Sequence, residues 1–363
     1  MKKKTLCSYL ILLLTIVLLS SCNKFITNKN NENIPQELDD ISTNANTTDA
    51  DNNELNITIP DQNNEIKSTV TPIPSIEKSM NKESYPKVDG STATIPLSLA
   101  VYQFATGATK SEAEATIVHT KTTNSYLSLI EGTVDLLIVY EPSKEVNETL
   151  SNSTVKLNIK PIGKDALVFI TNEANVTNSL TGKEIVDIYS GKITNWKEVG
   201  GDDKEIIPFQ RPDSSGSQTL MNKLVMKDTK IMDAPYTFKP SSMGEIISSI
   251  ADYSNENNAL GYSVFYYTQN MNNEPLLKYM AVDEIIPSKE TIKDGTYPYV
   301  NEFYAVIRDD EEPTSNAHII FDWLTSPEGQ ILIDELGYVP FSKKEVFLYE
   351  SRSFSNSYIN FIN

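Results

Sequence analysis

The stretch best equipped for ligand chemistry is Arg211-Pro212-Asp213-Ser214-Ser215-Gly216-Ser217-Gln218. One guanidinium precedes a run of small polar residues and a glycine. Then follow Thr219-Leu220-Met221-Asn222-Lys223-Leu224-Val225-Met226, whose apolar members recur at helical spacing. Small residues let the backbone approach an oxyanion, and the helix they open offers unpaired N–H groups and the positive end of its dipole. Hydroxyls of Ser215 and Ser217 can add hydrogen bonds, and Arg211 can bind an anion bidentately. The same residues also fit an ordinary helix start with an arginine nearby, so the choice falls to the rest of the chain.

Two further helix starts carry small hydroxyl residues. Thr94 stands at the N-cap position of a helix expected over 95–105, with Pro96 in its first turn. Thr122-Thr123-Asn124-Ser125 precedes a helix expected over 126–131 that ends at Gly132. Between the helices, strands are expected at 115–120, 134–140, 155–162, 166–170, 206–210, 277–282 and 303–308, and 258–267 reads as a strand running into a bend and an aromatic-rich helix. Val134 to Tyr140 is nearly continuous in apolar residues, the pattern of a strand covered on both faces. Thr181 and Glu184 have capping-box spacing ahead of another helix. This alternation predicts an α/β fold with mainly parallel sheets, in which ligands bind where helix N-termini converge.

Composition narrows the chemistry. The 363 residues leave room for one large or two medium domains, and the formal net charge of −18 argues against a nucleic-acid partner. Cys7 and Cys22 are the only cysteines, so no disulfide framework is expected. His119 and His318 lie far apart without cysteine partners, so neither a metal cluster nor a cofactor is expected. Ser215-Gly216-Ser217 lacks the glycine spacing of a nucleophile elbow, and neither histidine is placed to serve as its base. The chain is therefore not expected to be an enzyme.

Lys2-Lys3-Lys4 followed by a short apolar run reads as an export signal over 1–21. Its Leu19-Ser20-Ser21-Cys22 ending resembles a bacterial lipobox. That resemblance implies lipidation of Cys22 and anchoring to the outer face of the bacterial cell membrane. Residues 22–84 are rich in Asn, Asp, Glu, Ser and Thr, with no aromatic residue between Phe25 and Tyr85, and read as a disordered polar tether. Residues 346–363 read as a C-terminal tail.

Several segments recur together and in order: Asp89 to Thr94, Gly191-Lys192-Ile193-Thr194-Asn195-Trp196, Gly200-Gly201, Arg211 to Ser217, Ala259-Leu260-Gly261-Tyr262, Pro327-Glu328-Gly329-Gln330 and Gly337-Tyr338-Val339-Pro340. Over about Val88 to Phe341 the chain resembles the phosphate-binding lipoproteins of bacterial phosphate ABC importers. The resemblance implies a two-lobed type II periplasmic-binding-protein fold with two hinge crossings, near 160–163 and 273–277. Lobe one would comprise 85–162 and 276–345, and lobe two 163–275. It also implies a monomer that captures inorganic phosphate for an ABC permease complex; a surface-anchored sensor or binding protein for another oxyanion is the alternative.

Carried over residue by residue, the resemblance implies phosphate donors at Thr94, the N–H of Ile95, Thr122, Arg211, Ser215, Gly216 and Ser217, with Asp213 orienting Arg211. Where phosphate-selective members have an aspartate that accepts the phosphate proton, this chain has Tyr140, followed by Glu141. Either Glu141 takes the role through a one-residue shift, or discrimination is weaker, or the anion differs; Glu141 also fits a solvated acid at a strand end.

Overall fold

The computed structural model describes residues 73–234, 238–252 and 258–341. The signal segment, Cys22, most of the tether and the C-terminal tail lie outside the described residues.

Lobe one is built on β1 (Val88–Gly90), β2 (Leu136–Val139), β8 (Val300–Arg308) and the first part of β3 (Leu157–Asn172). All four side chains of β2 are buried, as its unbroken apolar run requires. β1 runs parallel to β2, whereas β2 with β8 and β8 with β3 are antiparallel. The surrounding helices are α1 (Ile95–Thr106), α2 (Lys110–Thr116), α3 (Thr122–Ile130), α4 (Lys144–Ser151), α9 (Asn316–Trp323) and α10 (Pro327–Glu335).

Lobe two uses the second part of β3, flanked by antiparallel β6 (Ala259–Val264) and β7 (Leu277–Val282). Short β4 (Ser179–Leu180) and β5 (Ile207–Pro208) run parallel to β7 and β6. Its helices are α5 (Gly182–Tyr189), α6 (Gly216–Leu220), α7 (Met243–Asp252) and α8 (Lys289–Lys293). The capping box of Thr181 and Glu184 is present at the start of α5. The sheets are thus mixed, with long antiparallel pairings rather than the mainly parallel ones expected. Alternating strands and helices fix the α/β class but not the direction in which each strand joins its sheet.

β3 is the spine of the hinge. Leu157 to Ala166 pair with β8, and Leu167 to Thr171 pair with β6, so one strand belongs to both lobes. The two strands expected at 155–162 and 166–170 are this single element. Its register shifts between Pro161 and Gly163, where a Cβ on Gly163 would sit 2.5 Å from the Phe303 ring. Leu277 to Val282 pair within lobe two, so the chain does not return at 273–277; it returns where β8 begins. Loop composition suggested the earlier point, but strand pairing decides the lobe.

Two further expectations change. Residues 115–120 form no strand: Thr109 and Glu112 close a capping box that starts α2 instead. Residues 73–84 belong to the folded body rather than to the tether. Ile76 and Met80 are buried, and the Lys78 and Met80 N–H groups donate to the carbonyls of Phe104 and Ala105 at the end of α1. Two isolated apolar residues in a polar run suffice because α1 supplies their partners.

Asp165, in the hinge part of β3, is buried. It accepts hydrogen bonds from the Tyr140 hydroxyl at 2.5 Å, the Ala166 N–H at 2.8 Å and the Tyr266 N–H at 3.1 Å. Burial pushes its carboxyl up to about 6, against the opposing pull of those donors.

Two outcomes follow. Ile76→Ala should cost about 2–4 kcal/mol in denaturant unfolding, as for other buried aliphatic truncations; a loss near zero would return this segment to the tether. With the folded carboxyl titrating above the unfolded one, its contribution is complete below about pH 4 and declines as pH rises to about 6. The stability difference between wild type and Asp165→Asn should therefore shift against wild type by on the order of 2–3 kcal/mol from pH 4 to 7. A pH-independent difference would contradict this.

Candidate functional site

Lobe two contributes Arg211 and the start of α6. Arg211 is 4% exposed, and burial pushes its guanidinium below its ordinary value. Its backbone N–H donates to Gln218 Oε1 at 3.1 Å and to the Tyr262 hydroxyl at 3.0 Å; the Tyr262 hydroxyl in turn donates to Gln218 Oε1. Nε donates to the Pro240 carbonyl at 3.1 Å and Nη2 to the Ser241 carbonyl at 3.4 Å. Nη1 is buried with no hydrogen-bond partner among the described residues. Ser215 and Ser217 are buried with their hydroxyls 3.0 Å apart. α6 continues into a wider π turn over Met221–Met226, keeping the cradle and Lys223 on one rod.

Lobe one contributes a hydroxyl network centred on Ser91. Its Oγ lies 2.8 Å from Thr122 Oγ1 and accepts from the Tyr140 N–H at 3.0 Å, while its carbonyl pairs with His119 Nδ1 at 2.8 Å. Asp89 supports the same loop by accepting from the N–H and hydroxyl of Thr120 at 2.7 and 2.6 Å.

Thr94 and Ile95 serve this framework rather than facing the cleft with free donors. The Thr94 hydroxyl donates to the carbonyls of Ser91 and Ile138, its N–H donates to Ser91, and the Ile95 N–H donates to Thr92. A short 3₁₀ turn at Thr92–Thr94 consumes these groups.

The two lobes meet at the expected residues. A Cβ on Gly216 would lie 2.6 Å from Thr122 Oγ1, so only glycine allows the cradle this close to α3. Thr123 Oγ1 donates to the Ser214 carbonyl at 3.1 Å, and Lys121 Nζ donates at 3.3 Å to the same Ser241 carbonyl that holds Arg211. Thr122, Arg211, Ser215, Gly216 and Ser217 therefore gather in one place. Lys121 precedes Thr122 with φ 77° and ψ 165°, a conformation nearly reserved for glycine.

Helix capping sets this region apart. Hydroxyls of Thr109, Ser143, Thr181, Ser242, Ser288, Ser315 and Ser326 cap α2, α4, α5, α7, α8, α9 and α10. No side chain caps α1, α3 or α6, the helices that begin at the cleft. At α3 and α6 this leaves the first-turn N–H groups without a capping side chain.

The three acid-site assignments change. Asp213 does not orient Arg211: its carboxylate is 90% exposed and lies 3.6 Å from Lys239 Nζ. Backbone carbonyls of Pro240 and Ser241 hold the guanidinium instead. Tyr140 turns its hydroxyl away to Asp165, and burial raises its pKa well above the ordinary value. Glu141 pairs with Lys223 Nζ at 2.6 Å, so it is not a solvated strand-end acid.

Ser91, Lys121, Thr123, Gln218 and Tyr262 also contribute to this region, beyond the residues the sequence assigns to the site. Ser91, Thr123, Gln218 and Tyr262 all stand in segments already singled out, Asp89 to Thr94, Thr122 to Ser125, Arg211 to Gln218 and Ala259 to Tyr262, and Ser91 directly follows a strand. The positive φ of Lys121 has no signal in its residue type.

Strain at Lys121 gives a separable outcome. Lys121→Gly should stabilise the fold by about 1 kcal/mol despite the usual cost of glycine, because it relieves a conformation worth about 1–3 kcal/mol. Lys121→Ala, which keeps the strain, should not. Denaturant midpoints read both, and equal midpoints would rule out the strain.

Comparison with known proteins agrees with this architecture. A phosphate-binding protein PstS of Borreliella burgdorferi is 32% identical over 183 residues, covering 48% of this chain and 63% of that relative. A phosphate-binding protein PstS of Bacillus subtilis is 26% identical over 164 residues, covering 45% of this chain and 51% of the relative. The chain thus spans between half and two thirds of the length of these two relatives. A Clostridium perfringens structure, described as a phosphate ABC transporter substrate-binding protein with bound phosphate, shares the fold at TM-score 0.56 and 22% identity, over 70% of this chain and 98% of that one. An ABC-type phosphate transport receptor from Vibrio cholerae does so at TM-score 0.53 and 24% identity, over 69% and 98%. The family model for the PBP superfamily domain matches residues 61–328, most of the folded part, and the chain belongs to that superfamily.

Proposed function

We propose that this protein is an extracytoplasmic receptor that encloses inorganic phosphate between its lobes and delivers it to an ABC importer. The observation that carries the reading is the buried Arg211 Nη1, a charged donor with no hydrogen-bond partner among the described residues, beside two uncapped helix starts. A small oxyanion would complete such a donor set. The phosphate-binding relatives and the phosphate-bound structure of the same fold support that anion. Such a site holds its ligand without transforming it, so no catalysis is involved.

Lipidation of Cys22, with export through the preceding signal, would hold the receptor on the outer face of the cell membrane, facing its permease. Among the described residues no helix is long and apolar enough to cross a membrane. The receptor acts as a monomer in this reading.

One observation favours an alternative anion. None of Asp213, Tyr140 and Glu141 directs a free acceptor at the cradle. A site without a carboxylate to receive the phosphate proton would also admit a fully ionised oxyanion such as sulfate, which suits a sensor or binding protein for another anion.

Equilibrium dialysis against labelled phosphate tests the proposal. Wild type should bind saturably below millimolar, and Arg211→Ala should lose at least about a hundredfold in affinity, the worth of a desolvated charged donor, while retaining its far-UV spectrum. Unchanged affinity in Arg211→Ala would refute the assignment. Thermal shifts against phosphate, sulfate and molybdate would rank the anions, since stabilisation follows ligand concentration over Kd.

A further inference from the structure

We propose that Glu141 and Lys223 form a closure latch that sets how long the bound anion stays; this rests on the receptor reading above. Glu141 follows β2 in lobe one, and Lys223 lies in the π turn that extends the cradle helix in lobe two. Their charged atoms are 2.6 Å apart, with the Glu141 side chain only 12% exposed and that of Lys223 49%. The Tyr304 hydroxyl lies 3.4 Å from the other oxygen of Glu141 and equally 3.4 Å from Glu302 Oε2, so its one proton is shared between the two lobe-one carboxylates.

The contacts across the cleft differ in kind. Thr123 to Ser214 and Lys121 to Ser241 each end on a neutral carbonyl. Glu141 to Lys223 joins two formal charges, and it joins them on the same rod that presents Ser215 to Ser217. Withdrawing the cradle from α3 must therefore separate this pair. Because Lys223 is half-exposed, the pair's contribution is modest and salt-sensitive, and it acts on the closed form rather than on the encounter with the anion. It should slow release with little effect on capture.

The test uses inorganic phosphate and stopped-flow release from the full chain. Glu141→Gln and Lys223→Met should each speed release roughly two- to fivefold, the upper part of the range measured for such pairs, with association within about twofold of wild type. The double variant should be no faster than the faster single one, and the exchange Glu141→Lys with Lys223→Glu should recover part of the loss. Added salt should speed release from wild type more than from either single variant.

A second readout does not need phosphate binding to succeed. Spin labels at Lys110→Cys and Lys197→Cys, in a background lacking Cys7 and Cys22, report the separation of the lobes with and without phosphate. Breaking the pair should lower the closed population. If wild type binds no phosphate, the receptor reading fails, while a lower closed population in the variants still supports the latch. Unchanged release rates, additive effects in the double variant, or a closed population that neither variant alters would overturn it.

Discussion

A guanidinium removed from water costs several kcal/mol unless its donors are met, and Arg211 places that constraint at the centre of the cleft. Four of its hydrogen bonds are made within lobe two: its backbone N–H to Gln218 and Tyr262, and its side chain to the carbonyls of Pro240 and Ser241. What remains without a partner among the described residues is one buried Nη1. The surrounding design follows from that remainder. Helix starts next to the guanidinium lack capping side chains, although the same chain caps its other helices repeatedly with serine and threonine. A capping hydroxyl would satisfy the very amides that an anion needs.

Lobe one answers with rigidity. Ser91 connects the ends of β1 and β2 to the start of α3, and Thr94 ties its own donors into the same corner. The groups that spend their hydrogen bonds internally hold in position the groups that do not. Asp165 performs the comparable task at the hinge, joining Tyr140 of one lobe to the Tyr266 backbone of the other. The nearby rings of Tyr266 and Tyr338 stack with centroids 3.5 Å apart, which adds apolar contact across the same junction.

Much of this was legible in the residue order. The Arg211 to Ser217 run, the Thr122 helix start and the buried β2 all carry local signals: small residues before a helix, or an unbroken apolar run. Strand direction was not legible, because pairing partners such as β3 and β8 lie far apart in the chain. The roles of Thr94, Asp213 and Tyr140 differ from those the sequence implies for a related reason. Residue type says what a side chain can donate or accept, but not whether a nearer partner has already taken it. Ile138, Lys239 and Asp165 are those nearer neighbours, and none adjoins its counterpart in sequence.

The fastening of residues 73–84 to α1 bears on how mechanical load enters the molecule. Ile76 and Met80 are set into lobe one, and the last described residue, Phe341, is also held there through its N–H to Gln330. Every described stretch of lobe two is internal to the chain. Drag transmitted from either flanking segment would therefore fall on lobe one. Lobe two, whose chain connections to lobe one are β3 and the approach to β8, is left as the jaw that carries no such load.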